Sequence, residues 1–318
     1  MRRLALFVIA ASLAAVAGAQ AYPTKPIRLI IPFPPGGGMD TIGRAFAPVL
    51  STALGQPIVV ENRPSASGIV AADLIAKSPP DGYTIGLSGS FHVAGSLLYK
   101  KLPYDIVRDF TQIAMIGDSD VVLYVRSQMP ASLAEFIAHA KANPGKLNYG
   151  SGGVGHPYHL AMEMFQRRVG AELFHVPYKG MNPVIQDFFG GRLDAMFYSA
   201  SGQFRDQINQ GRIRALGTSA EKRHARLPEA APFAEHGIGD FKPATHLGII
   251  GPAGLPRAIT ERLAAEIATV TASPEAVAAY DNLQFVRVHL GPDDYAKFVR
   301  AELATWAPLV RSLNITLD

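Results

Sequence analysis

The chain of 318 residues contains no cysteine, and this absence removes several classes of protein. It excludes disulfide frameworks, zinc ribbons, iron–sulfur clusters and cysteine nucleophiles. The sequence also shows no run of like charges and no stripe of lysine and arginine with interleaved aromatics, so we expect no nucleic-acid partner. Charged residues make up only 18% of the chain and hydrophobic residues 48%, which is enough apolar material for two ordinary domain cores.

Motifs of common catalytic sites are missing as well. There is no G-x-S-x-G nucleophile elbow, no H-E-x-x-H metal motif and no P-loop. His156 and His159 make an H-x-x-H pair, but the sequence places no evident third ligand beside them. We therefore predict a non-catalytic protein without a metal or another cofactor, and a hydrolase that uses His156 as its base is the alternative.

The first 21 residues have the composition of a secretory signal peptide. Arg2 and Arg3 precede an apolar run from Leu4 to Gly18, which is short for a membrane span, and small residues follow up to Ala21. We predict cleavage after Ala21. Loss of the two arginines lowers the basic count from 30 to 28 against 26 acidic residues, so the net charge falls from +4 to +2. An exported chain without cysteine indicates the bacterial periplasm.

Apolar, β-branched runs alternate with amphipathic stretches from residue 27 onward. The pattern predicts strands at 27–32, 57–61 and 84–88 and helices at 41–54 and 68–77. In the first of these helices, apolar residues recur at i, i+3, i+4, i+7, i+8 and i+11 and form one face. All-apolar strands between helices indicate an α/β fold in which helices flank a mixed, mostly parallel sheet.

A second α/β series follows from about residue 121. Its predicted strands are 121–125, 147–149, 173–176, 195–198 and 213–218, and its helices are 133–142, 156–169, 183–189 and 204–210. The chain then returns with a strand at 247–250 and helices at 259–271 and 293–313, too little for a third domain. We therefore predict domain 1 from residues 22–122 and 247–318 and domain 2 from residues 123–246, with a hinged ligand cleft between them.

The loop after the first predicted strand is rich in glycine. Residues 32–40 read PFPPGGGMD and lead into the first helix. Glycine allows backbone N–H groups to turn outward, and a helix N-terminus adds partial positive charge, so this loop suits a carboxylate or a phosphate. The spacing matches neither the GxGxxG nor the P-loop nucleotide motif. Asp40 is better placed as the helix N-cap than as a ligand contact.

A similar loop lies in the second series. Residues 148–159 read NYGSGGVGHPYH, and Pro157 suits the first position of the following helix. Ser151 could donate a hydrogen bond to an anion and His156 could face the cleft. Ser151 is also explained as a turn cap, and His159 as a packed side chain. With a helix N-terminus on each wall, the cleft would hold a molecule with two acidic ends.

Three further strand ends carry polar or aromatic side chains. The candidates are Ser90 and Phe91 after the strand at 84–88, Tyr178 and Lys179 after the strand at 173–176, and Tyr198 and Ser199 at the end of the strand at 195–198. We expect these side chains to reach the same cleft, although Lys179 is equally explained as a solvated loop charge.

Six segments of the sequence form a specific combination. They are YPTKPI at 22–27, PFPPGG at 32–37 with Asp40 and Arg44, GQPIVVENRP at 55–64, PDGYT at 80–84, LYKKLPYD at 98–105 and HVPYKG at 175–180. The combination resembles the solute-binding proteins of tripartite tricarboxylate transporters, the Bug or TctC family. The resemblance implies a two-domain periplasmic binding protein of type II-like fold. Such a protein closes on a carboxylated solute and delivers it to a membrane permease.

The resemblance also implies which residues contact the solute. In domain 1 the first group is Phe33, Pro35, Gly36, Gly37 and Gly38, with Met39 beside them. A neighbouring group in the same domain is Ser88, Ser90 and His92. The domain 2 wall would consist of Ser151, Gly155 and His156.

The identity of the solute stays open at this stage. Many members of the family have Asn-Pro where this chain has Gly95 and Ser96, and Thr or Ser where it has His156. No additional carboxylate is evident for an ammonium group. A flat aromatic acid fits as well as an aliphatic di- or tricarboxylate, given the rings of Phe33, Phe91, His156, Tyr158 and Tyr198. A ligand sensor for a two-component kinase is the alternative to transport, and we expect a monomer.

Overall fold

The computed structural model describes residues 22–200, 202–223, 227–239, 241, 243, 245–283, 285–313 and 316–317. The predicted signal peptide, residues 1–21, lies outside the described residues. Within the described ranges, no helix combines the length and the apolar composition that crossing a membrane requires.

Strands and helices alternate along the described chain and build two separate sheets. In chain order the elements are β1 (Ile27–Ile31), α1 (Gly38–Leu54), β2 (Ile58–Asn62), α2 (Ile69–Ala76), β3 (Thr84–Gly89), α3 (Ser90–Leu98), β4 (Phe110–Asp118), β5 (Val122–Arg126), α4 (Leu133–Ala142), β6 (Asn148–Ser151), α5 (Pro157–Val169), β7 (Phe174–Pro177), α6 (Met181–Phe189), β8 (Ala195–Tyr198), α7 (Gly202–Asn209), β9 (Ile213–Thr218), β10 (Leu247–Pro252), α8 (Arg257–Val270), α9 (Pro274–Leu283), β11 (Val286–Leu290) and α10 (Pro292–Leu313). The two sheets have the strand orders β11-β4-β10-β3-β1-β2 and β7-β6-β8-β5-β9.

Helix α1 shows how the apolar pattern becomes packing. Its residues Ile42, Phe46 and Leu50 are buried in the core of the first sheet, as the predicted apolar face requires. The helix ends at Gly55, whose left-handed conformation (φ 69°) closes the last turn. It begins three residues earlier than predicted, at Gly38, because apolar periodicity does not report the first turn of a helix.

The direction of the strands follows from the two points where the chain crosses between the sheets. β4 runs toward the first crossing, and β10 starts where the chain returns, so these neighbours are antiparallel. β10 is also antiparallel to β3, and β5, which leaves the crossing, is antiparallel to β8 and β9. Among the described strands, parallel pairing joins β1 to β2 and β3, and β6 to β7 and β8. Both sheets are mixed, as predicted, with fewer parallel pairs than expected.

The same register places the loops that matter for function. Leu247, the first residue of β10, pairs with Gly89 at the end of β3 and with Gly117 near the end of β4. Val122, the first residue of β5, pairs with Tyr198 at the end of β8. The C-terminal ends of the parallel strands therefore lie at the side of each sheet where the chain crosses. This is the side of an α/β sheet where ligands are usually bound.

Several elements escaped the sequence patterns. Residues 90–98 form α3, a helix that the sequence pattern did not predict. Six of its nine residues are buried, and a helix enclosed on most sides shows no amphipathic period. β4, α9 and β11 were not predicted either. The apolar run of β4 is interrupted by Thr111, Gln112 and Gly117, which conceals a nearly fully buried strand.

Side chains of the two halves meet near the crossings. Leu160 of α5 shares a buried apolar cluster with four side chains of α3 and α10: Ala94, Leu98, Trp306 and Val310. Gly155, in the loop before α5, lies directly against Leu98, since a Cβ on Gly155 would be 2.0 Å from Leu98 Cδ1. The loop after β6 is therefore a neighbour of α3.

Gly248 in β10 offers a test of this core. A Cβ on Gly248 would lie 2.2 Å from the hydroxyl oxygen of Tyr295, whose ring is fully buried. We expect Gly248→Ala to lower the free energy of unfolding in urea by about 1–3 kcal/mol through overpacking. Gly291→Ala is the control, because a Cβ there meets no atom within 4 Å, and it should change stability by less than about 0.5 kcal/mol. Equal stabilities of the two variants would contradict this packing.

Candidate functional site

One buried carboxylate holds the glycine-rich loop after β1. Asp40 is 3% exposed and accepts three hydrogen bonds of 2.9 Å, from Gly36 N, Arg44 Nε and Asn62 Nδ2. Burial alone would raise the pKa of Asp40, but these hydrogen bonds hold that pKa below its usual value. Asp40 is thus not the expected N-cap. The helix begins at Gly38, which puts Asp40 in its first turn, where a negative charge favours the helix dipole.

The start of α1 leaves backbone donors free. Gly37 is the N-cap, and the first-turn N–H groups of Gly38 and Met39 have no acceptor among the described residues. Gly37 and Gly38 are exposed. The partial positive charge of the helix N-terminus acts at the same place, so the arrangement suits one carboxylate. The N–H group of Gly36 is not available, because it donates to Asp40.

Two aromatic rings border this loop. The ring centroids of Phe33 and Phe91 are 4.9 Å apart in an edge-to-face arrangement. Phe91 also packs on Gly68, where a Cβ would lie 3.0 Å from the ring. Pro35 is exposed and Met39 is half-buried. The structure therefore brings the predicted contacts of this loop together with Phe91 at one edge of the first sheet.

Ser88, Ser90 and His92 do not reach the protein surface, contrary to the expectation that they contact the solute. All three are buried. Ser88 Oγ lies 3.0 Å from His92 Nδ1, and Ser90 Oγ lies 3.0 Å from Nδ1 of His246. The reason is that β3 passes into α3 without a loop, so these side chains are internal partners in the first half of the molecule.

His246 connects this buried group to α10, and the sequence analysis missed it. Its backbone N–H donates to Ser90 Oγ at 2.9 Å, and its Nδ1 lies at an ion-pair distance of 2.9 Å from Glu302 Oε2. Its Nε2 is 3.3 Å from the hydroxyl of Tyr295. No local pattern singles out His246, since its partner Ser90 is 156 residues away in the chain.

The glycine-rich loop after β6 uses its own polar groups internally. Ser151 is fully buried, and its Oγ lies 3.0 Å from Gly153 O and 2.7 Å from His175 Nε2. The N–H group of Gly155 donates to His159 Nδ1 at 3.0 Å. Ser151 therefore acts as a turn residue, the alternative to its role as a ligand contact.

The N-terminus of α5 differs from that of α1. His156 is the N-cap, and its Nδ1 accepts the N–H group of Tyr158 at 3.2 Å. Pro157 occupies the first position and has no N–H group. Two of the three first-turn donors are thus absent or taken. The start of α5 therefore offers an anion fewer free donors than the start of α1, and the expected second anion site is largely closed.

Burial keeps three histidines at and beside this loop neutral. It lowers the pKa of His156 and of His175 to about 4. It also lowers the pKa of His159 to about 3, and the nearby rings of His175 and His156 lower that pKa further. His159 and His175 stack with centroids 4.0 Å apart. Tyr149 stacks on His175 and donates to Glu163 Oε1 at 2.7 Å. Within the described ranges, no three histidine or carboxylate side chains are arranged to hold a metal ion.

The remaining predicted contacts lie at the same edge of the second sheet. Tyr198, half-buried, meets Tyr158 edge to face at 5.4 Å, and Ser199 is buried beside it. The hydroxyl of Tyr178 donates to Asp187 Oδ2 at 2.8 Å, so it is already engaged. Lys179 is exposed. Tyr198 is partly exposed, so part of its ring is accessible to a flat group.

The histidine cluster predicts that stability falls in acid. His159 has a pKa of about 3 when folded and 6.5 in its ordinary state, so the unfolded chain takes up the proton first. Stability present above pH 6.5 should decrease as the pH falls toward 3, by about 1.4 kcal/mol per pH unit for this residue. His159→Asn keeps an acceptor for Gly155 without titrating, and urea unfolding between pH 7 and 4.5 should show a weaker pH dependence.

The exposed His236 supplies the control for this experiment. His236→Asn makes the same substitution at an exposed position, and its unfolding is measured over the same pH range for comparison with His159→Asn. If His159→Asn were as sensitive to acid as the wild type, burial of His159 in a neutral form would be ruled out.

The sequence of this chain is similar to sequences of known proteins over nearly its whole length. Residues 42–315 match the family model TctC, described as the tripartite tricarboxylate transporter family receptor. The chain is similar to the protein BugT of Bordetella pertussis, with 33% identity over 317 residues, 99% of this chain and 97% of BugT.

Two solved structures are similar in fold. The periplasmic binding protein BugD has a TM-score of 0.78 and 26% identity, covering 93% of this chain and 100% of BugD. An R. palustris protein solved with adipate has a TM-score of 0.79 and 30% identity, covering 93% of this chain and 99% of that one. Together with the two helix-flanked mixed sheets, these matches show that the chain belongs to the TctC (Bug) family of periplasmic binding proteins with a two-domain fold.

Proposed function

We propose that this protein captures a carboxylate between its two domains. The observation that carries the proposal is the pair of N–H groups of Gly38 and Met39 at the start of α1, which meet no acceptor in the described part of the chain. They belong to the side of the first sheet where the chain crosses, and the nearby carboxylate of Asp40 is already neutralised by Arg44. The R. palustris relative binds adipate, which supports a carboxylate as the ligand class.

Capture would proceed by hinge closure. In this proposal domain 1 comprises residues 22–122 and 247–318, and domain 2 comprises residues 123–246. The two crossing segments are tied to each other, since the hydroxyl of Thr245 donates to Ser119 O. Val121 N donates to Ser219 Oγ at 2.9 Å and anchors the first segment to domain 2. A ligand that contacts both domains stabilises the closed arrangement over the open one.

The protein would act by binding and not by catalysis. Ser151 Oγ lies 2.7 Å from His175 Nε2, a distance that would suit a serine nucleophile and its base. Ser151 is fully buried, however, and its hydroxyl also contacts Gly153 O. The base of the alternative hydrolase, His156, uses its Nδ1 to cap α5. Its pKa of about 4 makes it a poor base at neutral pH.

Export and delivery complete the proposal. Residues 1–21 would direct the chain to the periplasm and be removed after Ala21, and the loaded protein would deliver its solute to the membrane permease of a tripartite tricarboxylate transporter. The family match supports this role.

Uptake of the bound acid by cells should be lost on deletion of either this protein or the permease. Unchanged uptake with altered gene expression would favour the sensor role instead.

Gly37→Asp tests the carboxylate site by adding one charge. Gly37 has φ −79° and ψ 170°, a conformation open to any residue, and a Cβ there would make an ordinary contact of 3.5 Å with Pro34 O. Asp and Asn are both good N-cap residues, so Gly37→Asn is the matched control. Gly37→Asp should bind carboxylates at least about tenfold more weakly than Gly37→Asn, because its charge repels them. Calorimetry with adipate, malate and benzoate measures the difference.

Two results would count against the proposal. If the wild-type protein bound none of these acids in calorimetry or thermal-shift assays, the proposed function would fail. If Gly37→Asp bound the preferred acid as tightly as the wild-type protein, the carboxylate would not lie at the start of α1.

A further inference from the structure

A cavity of about 250 Å³ lies at the end of the first sheet that faces away from the crossings. It is lined by the start of β4, the first turn of α8 and the first half of α10. Gly117 of β4 pairs with Leu247 beside the crossings, and Gln112, which lines the cavity, precedes it by five residues. Five residues of a strand span about 17 Å, so the cavity is separate from the cleft. The described lining residues include none of the predicted solute contacts.

The cavity has a buried apolar wall and a charged rim. Phe110, Leu255 and Val299 line it, and all three are buried. At the rim, Arg257 of α8 donates to both carboxylate oxygens of Asp293 in α10, at 2.8 and 3.0 Å, so these two charges neutralise each other. Because an apolar cavity of about 150 Å³ can hold benzene, this one is large enough for roughly ten non-hydrogen atoms.

One buried amide in the lining lacks a hydrogen-bond partner. Gln112 is 8% exposed, and its Oε1 accepts no hydrogen bond from the residues that the structure describes. A buried acceptor without a donor destabilises a fold, so folding alone would favour an apolar side chain here. The last torsion of a glutamine is broad, which lets the amide turn toward the cavity. A donor on a bound molecule would then satisfy Oε1.

The lining also contains a cation without an anionic partner. Arg300 is exposed on α10, and its guanidinium forms no ion pair or hydrogen bond within the described ranges. Arg257, by contrast, is held by Asp293 and Glu261. A guanidinium binds a carboxylate through two parallel hydrogen bonds. The cavity therefore asks for a hydrogen-bond donor at its buried end and an anion at its exposed end.

We propose that this cavity is a second ligand site that binds a small hydroxy acid. The carboxylate of the acid pairs with Arg300, and its hydroxyl donates to Gln112 Oε1. Its carbon chain packs on the apolar wall. A hydroxyl suits the buried end better than an ammonium group, because a charge costs far more to bury. The inference goes beyond the proposed function, since this site uses neither glycine-rich loop and needs no closure of the cleft.

Calorimetric titration of the purified protein with three probes tests the two ends of the site. 6-Hydroxyhexanoate carries both groups, hexanoate lacks the hydroxyl and 1,6-hexanediol lacks the carboxylate. We expect hexanoate to bind about three- to tenfold more weakly than 6-hydroxyhexanoate, and 1,6-hexanediol at least about fivefold more weakly. No binding of 6-hydroxyhexanoate, or an equal affinity of either other probe, would overturn the inference.

Gln112→Met separates binding from folding, because methionine has a similar length but no amide. It should weaken 6-hydroxyhexanoate binding about three- to tenfold and raise the Tm by about 2 °C, since no unsatisfied acceptor stays buried. Gln166→Met is the matched control: Gln166 is also buried, but it donates to Glu163 and accepts from Leu173 N, so its loss should lower the Tm. A lower Tm or an unchanged affinity in Gln112→Met would overturn the role of Gln112.

Arg300→Gln tests the anion end. It should weaken 6-hydroxyhexanoate binding at least about fivefold and change 1,6-hexanediol binding less than about twofold. Arg311→Gln makes the same charge change at an exposed position of α10 outside the cavity lining, and it should bind like the wild type. Equal losses in the two variants would reduce the effect to net charge and overturn the inference. Full affinity in Arg300→Gln would place the acid elsewhere, which would overturn the second site and leave the proposed function intact.

Discussion

Three hydrogen bonds between Ser90 and His246 hold together the parts of the molecule on which the site depends. The backbone N–H group of His246 donates to the Ser90 hydroxyl, and the backbone N–H group of Ser90 donates to the His246 carbonyl. The Ser90 Oγ and the His246 Nδ1 lie 3.0 Å apart. His246 also faces Glu302, so the start of α3, the second crossing and α10 form one buried polar unit. Removal of one partner would leave a buried polar group unsatisfied, at about 1–3 kcal/mol. The positions of Phe91 and Leu98 along α3 follow from this unit.

The two glycine-rich loops look alike in sequence and differ in what they offer a ligand. In the first, the N-cap Gly37 has no side chain, and Asp40 reaches back to the loop, so first-turn donors stay free. In the second, the N-cap His156 brings its own acceptor and uses the donor of Tyr158. An N-cap side chain stabilises its helix by occupying the groups that would otherwise bind an anion. The start of α1 therefore presents backbone donors, whereas the start of α5 presents aromatic side chains.

Sequence patterns predicted elements best where one face of the element meets water. α4 has the predicted bounds, and Ser132 forms a capping box with Glu135 at its start. α3 and β4 were missed because burial on several sides removes the alternation that a pattern detects. The residues of the site were likewise predicted well in the exposed loop and poorly in the buried segment. The loop from Phe33 to Met39 was found from its glycines, whereas Ser88 was assigned as a solute contact by the family resemblance, which does not report that its hydroxyl faces His92 in the interior.

By itself the sequence determined the α/β class, the two series of elements, the two glycine-rich turns and the family, since each depends on residues close together in the chain or on segments that match directly. Only the tertiary structure decided which polar groups are free. The N–H groups of Gly38 and Met39 meet no acceptor among the residues that the structure describes, while the Ser90 hydroxyl is used by a residue 156 positions away. Hydrogen-bond satisfaction depends on such distant partners, and no local pattern of residue types records them.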